Sequence, residues 1–189
     1  MENIKNNENK EKCSKCGGKC CKQSAGVYHP DDFKHELTDA WLEDLLEGNH
    51  TYPNGKPILV SIDWVEGVEG GPDGRGYFLR PRHIDVDGTM GDIVDPSWGA
   101  KCYHLTDTGC DLSFEERPWR CRIKDPTKCF KKEKPDWRLL LEEKMESIVP
   151  WKPYWKKLHQ FYLEYDKGTY TGEMNPMAQL FDMIFGGWL

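Results

Sequence analysis

The chain lacks any run of about 20 apolar residues, the length a helix needs to cross a bilayer. Its opening, Met1-Glu-Asn-Ile-Lys-Asn-Asn-Glu-Asn-Lys, has no hydrophobic core of a secretory signal. The expectation is a cytoplasmic protein with no membrane partner, in a compartment where thiols stay reduced. There the Asn49-His50-Thr51 sequon carries no meaning. A basic excess is also missing. The 26 Lys and Arg against 32 Asp and Glu give a net charge of -6, which argues against a general nucleic-acid binder. Apolar content is low, at 38% hydrophobic residues with a mean hydropathy of -0.77. A chain of 189 residues can still form one domain, with a modest core resting on eight Trp, eight Tyr and seven Phe. Bound metal can supply folding free energy that burial does not.

Familiar nucleotide and calcium loops are missing too. The stretch Glu66-Gly-Val-Glu-Gly-Gly-Pro-Asp-Gly-Arg-Gly76 lacks Gly-Lys-Ser/Thr and no helical pattern follows, so it reads as a hairpin loop. Asp85-Val-Asp-Gly88 lacks the further acids and closing Glu of a calcium loop, and reads as a turn. No internal repeat is visible.

What the chain does have is clustered cysteine. Four of the eight lie in Cys13-Ser-Lys-Cys16-Gly17-Gly18-Lys-Cys20-Cys21, and four in Cys102-x7-Cys110-x10-Cys121 with Cys129 beyond. Structural cysteines scatter singly along apolar faces, whereas these occupy two short polar segments containing glycine, as ligands do. Cys13-x2-Cys16 is a chelate spacing, and Gly17-Gly18 lets the backbone wrap closely. Adjacent side chains diverge, so Cys20 and Cys21 serve two metals, or only one of them ligates. Eight thiols match two tetrahedral sites, or one iron–sulfur cluster plus a second site.

Local charge agrees with ligation. Lys12, Lys15, Lys19 and Lys22 interleave the first cluster with no acid from 12 to 22. Arg117, Arg120, Arg122, Lys124 and Lys128 surround Cys121 and Cys129 against one acid, Asp125. Cations lower thiol pKa and offset the negative charge of a metal–thiolate site. Arg117 stands out because a guanidinium offers a rigid fork of donors toward sulfur or a carboxylate. Other candidate helpers are His83 and His104, the latter being the alternative metal ligand.

The remaining chain reads as α+β, a small antiparallel sheet with helices packed around a cysteine-rich metal region. Residues 1–12 are expected to be a disordered tail. Residues 13–189 form a single metal-binding domain, with a cysteine-cluster core at 13–130 and a helical part at 131–189. A helix is expected from His29-Pro30 through Phe33, Leu37, Trp41 and Leu45 to a stop at Gly48. Strands are expected near 57–65 and 75–84, paired antiparallel, with Pro81 marking an edge or bulge. Three helices follow: from Asp136 to Pro150, about 153–166, and from Asn175-Pro176 to Gly186. The loop of residues 22–101 must then close so that sulfurs of the two clusters become neighbours.

The CxxCxxxCC segment at 13–21, with Cys102, Cys110 and Arg117-Pro118-Trp-Arg-Cys121-Arg122, resembles the YkgJ-type cysteine-cluster family, described as a zinc- or iron-chelating domain. The resemblance covers roughly residues 13–130. It departs at Asp111-Leu112-Ser113, where the family has Ile-Tyr after the middle cysteine, and at Ile123-Lys124-Asp125-Pro126, where Phe-Pro often follows Cys-Arg. It implies metal held through Cys13, Cys16, Cys20, Cys21, Cys102, Cys110, Cys121 and Cys129, as an iron–sulfur cluster or zinc. A relative, the flagellin lysine N-methylase, implies a second reading: an iron–sulfur enzyme, either an oxidoreductase or a methyltransferase acting on protein lysine. The radical-SAM order Cys-x3-Cys-x2-Cys is not present, since Cys13, Cys16 and Cys20 run x2 then x3. A third reading is a zinc-stapled module that docks a protein partner through its aromatic C-terminal helices. The sequence leaves oligomeric state open.

Overall fold

A computed structural model describes Gly18, Cys21 and residues 26–85, 87–95, 101–123 and 145–166. Cys13, Cys16, Cys20, Cys129, the expected tail at 1–12 and the expected last helix lie outside these residues. So does most of the helix expected from Asp136, of which 145–148 are described and helical. Within the described residues the fold is α+β, with helices and small antiparallel sheets. No helix among them is long and apolar enough to cross a membrane.

The central ribbon pairs β1 (Val60–Glu66) antiparallel with β2 (Arg75–Pro81), in register from Val60↔Pro81 to Glu66↔Arg75. The intervening Gly-rich stretch is the expected hairpin connection, with a single 3-10 turn at Pro72–Gly74. The other edge of β1 is covered by 93–95, through Ile62 N–H to Ile93 O (2.6 Å) and Asp95 N–H to Ile62 O (3.2 Å). Covering an edge in this way removes a row of unpaired backbone groups. Past Pro81 the chain enters β3 (His83–Ile84), which pairs with β4 (Lys101–Cys102) so that His83 lies opposite Cys102. A tight hairpin, β5 (Leu105–Thr106) with β6 (Gly109–Cys110), follows at once.

The helix expected from residue 30 is broken in two. A 3-10 turn spans Pro30–Phe33, and α1 covers Asp39–Leu46. Lys34 takes a left-handed conformation (φ 54°, ψ 24°) that closes the turn, and Thr38 restarts the chain by accepting the Trp41 N–H (3.3 Å). The four-residue apolar spacing misleads because Phe33, Leu37 and Leu45 do all face the core, but from separate elements. The stop at Gly48 is as expected, with φ at +82° and its N–H on Leu45 O (3.1 Å). At the other end, α-helix gives way at Val149 to a 3-10 stretch through Tyr154, just before Pro150 as that residue requires. After α2 (Trp119–Arg122), the last described helix is α3 (Trp155–Tyr165), which buries Trp155, Leu158, Phe161 and Tyr162. Trp151, Leu158 and Ile148 pack with Tyr77, Leu79, Leu42 and Leu46 in one core.

Both faces of β1 are buried, and one of them is ionic. Asp63 and Arg80, 2% and 5% exposed, bond at 3.0 Å from Arg80 Nε. Arg80 also donates to the Asp95 carbonyl and, at 2.9 Å, to His83 Nδ1. A guanidinium only donates, so the ring proton of His83 sits on Nε2, 2.7 Å from Asp95 Oδ2. The network ties β1, β2, β3 and segment 93–95 together.

Removing Asp63 costs about 3 kcal/mol, because buried Arg80 loses its close carboxylate, that of Asp95 lying farther off at 3.7 Å. Asp63→Ala is therefore expected to lose that much stability in chemical denaturation. Glu66→Ala, which removes the half-exposed partner of Arg75 at 3.6 Å, should lose under about 1 kcal/mol. Equal losses contradict this assignment.

Candidate metal centre

Three of the four described cysteines arrive on short elements that have almost no core of their own. Cys102 comes from β4, Cys110 from β6 and Cys121 from α2, and none forms a disulfide. Arg117 is extended (φ -68°, ψ 146°) and Pro118 lies at φ -48°, giving the fixed approach to the Cys121 turn that the Arg-Pro pair predicts. Cys121 N–H then closes on Pro118 O at 2.7 Å.

The first cluster meets the second here. Cys21 packs against Cys102 and Leu105. Gly18, at φ +68°, approaches Leu105 so closely that a Cβ would lie 2.3 Å from its Cδ1. The left-handed backbone favours Gly here, and a larger residue would also have to displace the Leu105 side chain. A Cβ on Gly26 would lie 2.2 Å from Cys121 Sγ, so the missing side chain is the space that the sulfur uses.

The thiols sit in one another's electrostatic field. Burial, with charge on Cys121 and Cys110 adding to it, pushes Cys102 up to about 12. Burial also raises Cys110, against the pull of the Arg117 guanidinium, which hydrogen-bonds the sulfur. Arg117 is anchored by Nε on Leu112 O at 3.2 Å. These are not activated nucleophiles, which need a lowered pKa. Raised, buried thiols ionise when a cation takes the proton's place.

Two tyrosines lie close to the thiols. Tyr28 and Tyr52 share a hydroxyl contact of 2.5 Å, and Tyr52 Oη lies 3.3 Å from His104 Nε2. His104 Nδ1 lies 3.2 Å from Asp111, which also takes Lys56. The carboxylate accepts, so Nδ1 donates to it, Nε2 accepts from Tyr52, and Tyr52 accepts from Tyr28. Burial pushes both tyrosines above their ordinary range, and charge on Cys102 and Cys121 acts on each. Burial likewise holds His104 below the usual imidazole range, with Asp111 pulling the other way. Both ring nitrogens are engaged, by Tyr52 and Asp111, so His104 is not a ligand in this arrangement. His83 belongs to the buried ionic network.

Sequence reasoning missed Gly26, Tyr28, Asp32, Tyr52 and Asp111. Only Asp32, an acid in an expected first turn, carried any local signal. Among the described residues no group of three or more His, Cys, Asp or Glu side chains is arranged to hold a metal ion. Four of the eight predicted ligands lie outside those residues. The donor chemistry fits a thiophilic ion, and the absent Gly26 side chain makes room for the Cys121 sulfur.

No family model matches the chain, and no curated protein or solved structure is similar to it. The resemblance to the YkgJ-type family therefore rests on the quoted motifs alone.

The raised Cys102 thiol sets a pH dependence for metal-free protein. Between about 9 and 12 the unfolded chain loses this proton while the folded chain keeps it, so stability falls as pH rises through that window. Below that window both states hold the proton and the effect is absent. Denaturant unfolding between about pH 9 and 11 should show a shallower loss in Cys102→Ala than in the parent chain. Parallel slopes contradict the burial of this thiol.

Proposed function

We propose that this protein binds metal through its two cysteine clusters, as an iron–sulfur cluster or zinc, and that its motifs make it a member of the YkgJ-type family. The observation carrying the reading is the gathering of Cys21, from the first cluster, with Cys102, whose thiol also feels the charge of Cys110 and Cys121. Sulfur from segments about 80 residues apart meets in one region, which suits a cross-linking ion with thiolate ligands. Support also comes from Arg117 on the Cys110 sulfur, since a cation beside thiolates offsets the charge of the filled site. When bound, the metal supplies the cross-link between the two segments. The chain's own residues supply the room at Gly26, the guanidinium at Cys110 and the exclusion of water around Cys102.

Protein purified without air is expected to contain metal. Brown protein with iron and sulfide identifies a cluster, and colourless protein with stoichiometric zinc identifies the alternative. Serine is a poor ligand for a thiolate-selective ion. Cys121→Ser should therefore lose more metal per chain, by elemental analysis, than Cys129→Ser. Full retention of metal in Cys121→Ser contradicts the proposal.

A further inference from the structure

We propose that Asp32 is a positioning residue for this site, clamping the turn that carries Cys121 onto the segment just after the first cysteine cluster. The Asp32 side chain is only 6% exposed, yet both oxygens are fully used. Oδ2 accepts from the Trp119 backbone N–H at 2.7 Å and from the His29 N–H at 2.9 Å. Oδ1 pairs with the Arg122 guanidinium. Trp119 and Arg122 bracket Cys121 two residues before and one after, so the carboxylate grips the turn on both sides of the sulfur-bearing residue.

Two further contacts set the same docking. Arg120 N–H donates to Val27 O at 3.2 Å, and Gly26 lies against Cys121 Sγ. Burial raises the Asp32 carboxyl, while the His29 and Trp119 donors and Arg122 act in the opposite sense. Charge-assisted bonds of this kind are the strong ones. The acid therefore acts 89 positions away in the chain, on the placement of one sulfur, through the Arg that follows it.

The inference rests on the metal reading for one of its two readouts only. Asp32→Asn keeps a carbonyl oxygen for the backbone donors but loses the charge that holds Arg122. Arg122→Gln leaves Asp32 on His29 and Trp119 and removes the same pair from the other side, which serves if Asp32→Asn folds poorly. In the full chain stripped of metal by a chelator, so that no bound ion masks the thiols, each variant should raise the rate of Cys121 alkylation by iodoacetamide about tenfold, read by peptide mass, with Cys102 unchanged. Release of metal to a chromogenic chelator should quicken by a similar factor, and the double variant should add little to either single one. Unchanged alkylation of Cys121, or Cys102 and Cys121 rising together, overturns the clamp. If the parent chain holds no metal, the metal reading fails, while the alkylation result still decides the clamp.

Discussion

The extended segment from Gly26 to His29 is the constraint on which the rest of the described structure depends, because it bonds in three directions at once. Tyr28 N–H donates to Leu79 O of β2 at 3.0 Å, and Tyr28 O accepts from Trp151 Nε1 at 2.7 Å. Val27 O takes Arg120 N–H from the Cys121 turn. The same few residues thus join the central ribbon, the C-terminal aromatic core and the cysteine turn. An extended backbone has both its edges available for such bonds, and burying them unpaired would cost more than one kcal/mol each. Asp32 extends the join one turn further.

On that frame the thiols face an electrostatic problem. Cys102 is buried, Cys110 and Cys121 lie close enough for charge on either to act on it, and Tyr28 and Tyr52 add two more groups that resist ionisation. Burial favours the neutral thiols of Cys102 and Cys110, and beside them runs the ordered chain Tyr28–Tyr52–His104–Asp111–Lys56. The charge that several thiolates would bring needs a counter-charge, and Arg117 at Cys110 is only part of it. The basic residues that flank the cysteines in the sequence of an acidic protein would answer that need.

Much of the frame was legible in the sequence. Alternation over 57–65 marks β1, the Gly-rich stretch marks the hairpin and Gly48 marks the helix stop, because these follow from local sterics. The Arg117-Pro118 approach was legible for the same reason. The break between Phe33 and Asp39 was not, since Lys34 carries no local signal for a left-handed conformation and the apolar spacing persists across the break. Nor were the ionic face of β1 or the Tyr28–Tyr52 pair, which depend on partners 17 and 24 residues away in the chain. Asp32 looked like an ordinary first-turn acid because its decisive partners, Trp119 and Arg122, lie far along the sequence.

The claim that matters most is that one metal joins sulfurs of both cysteine segments. Protein loaded with cadmium-113 tests it through proton–cadmium correlation NMR, in which a cadmium resonance couples only to the β-protons of cysteines bound to it. The account predicts one cadmium resonance that correlates with Cys21 or another cysteine of 13–21 and also with Cys102, Cys110 or Cys121. Cadmium resonances that each couple to a single segment, or no coupling to any of these cysteines, would contradict it.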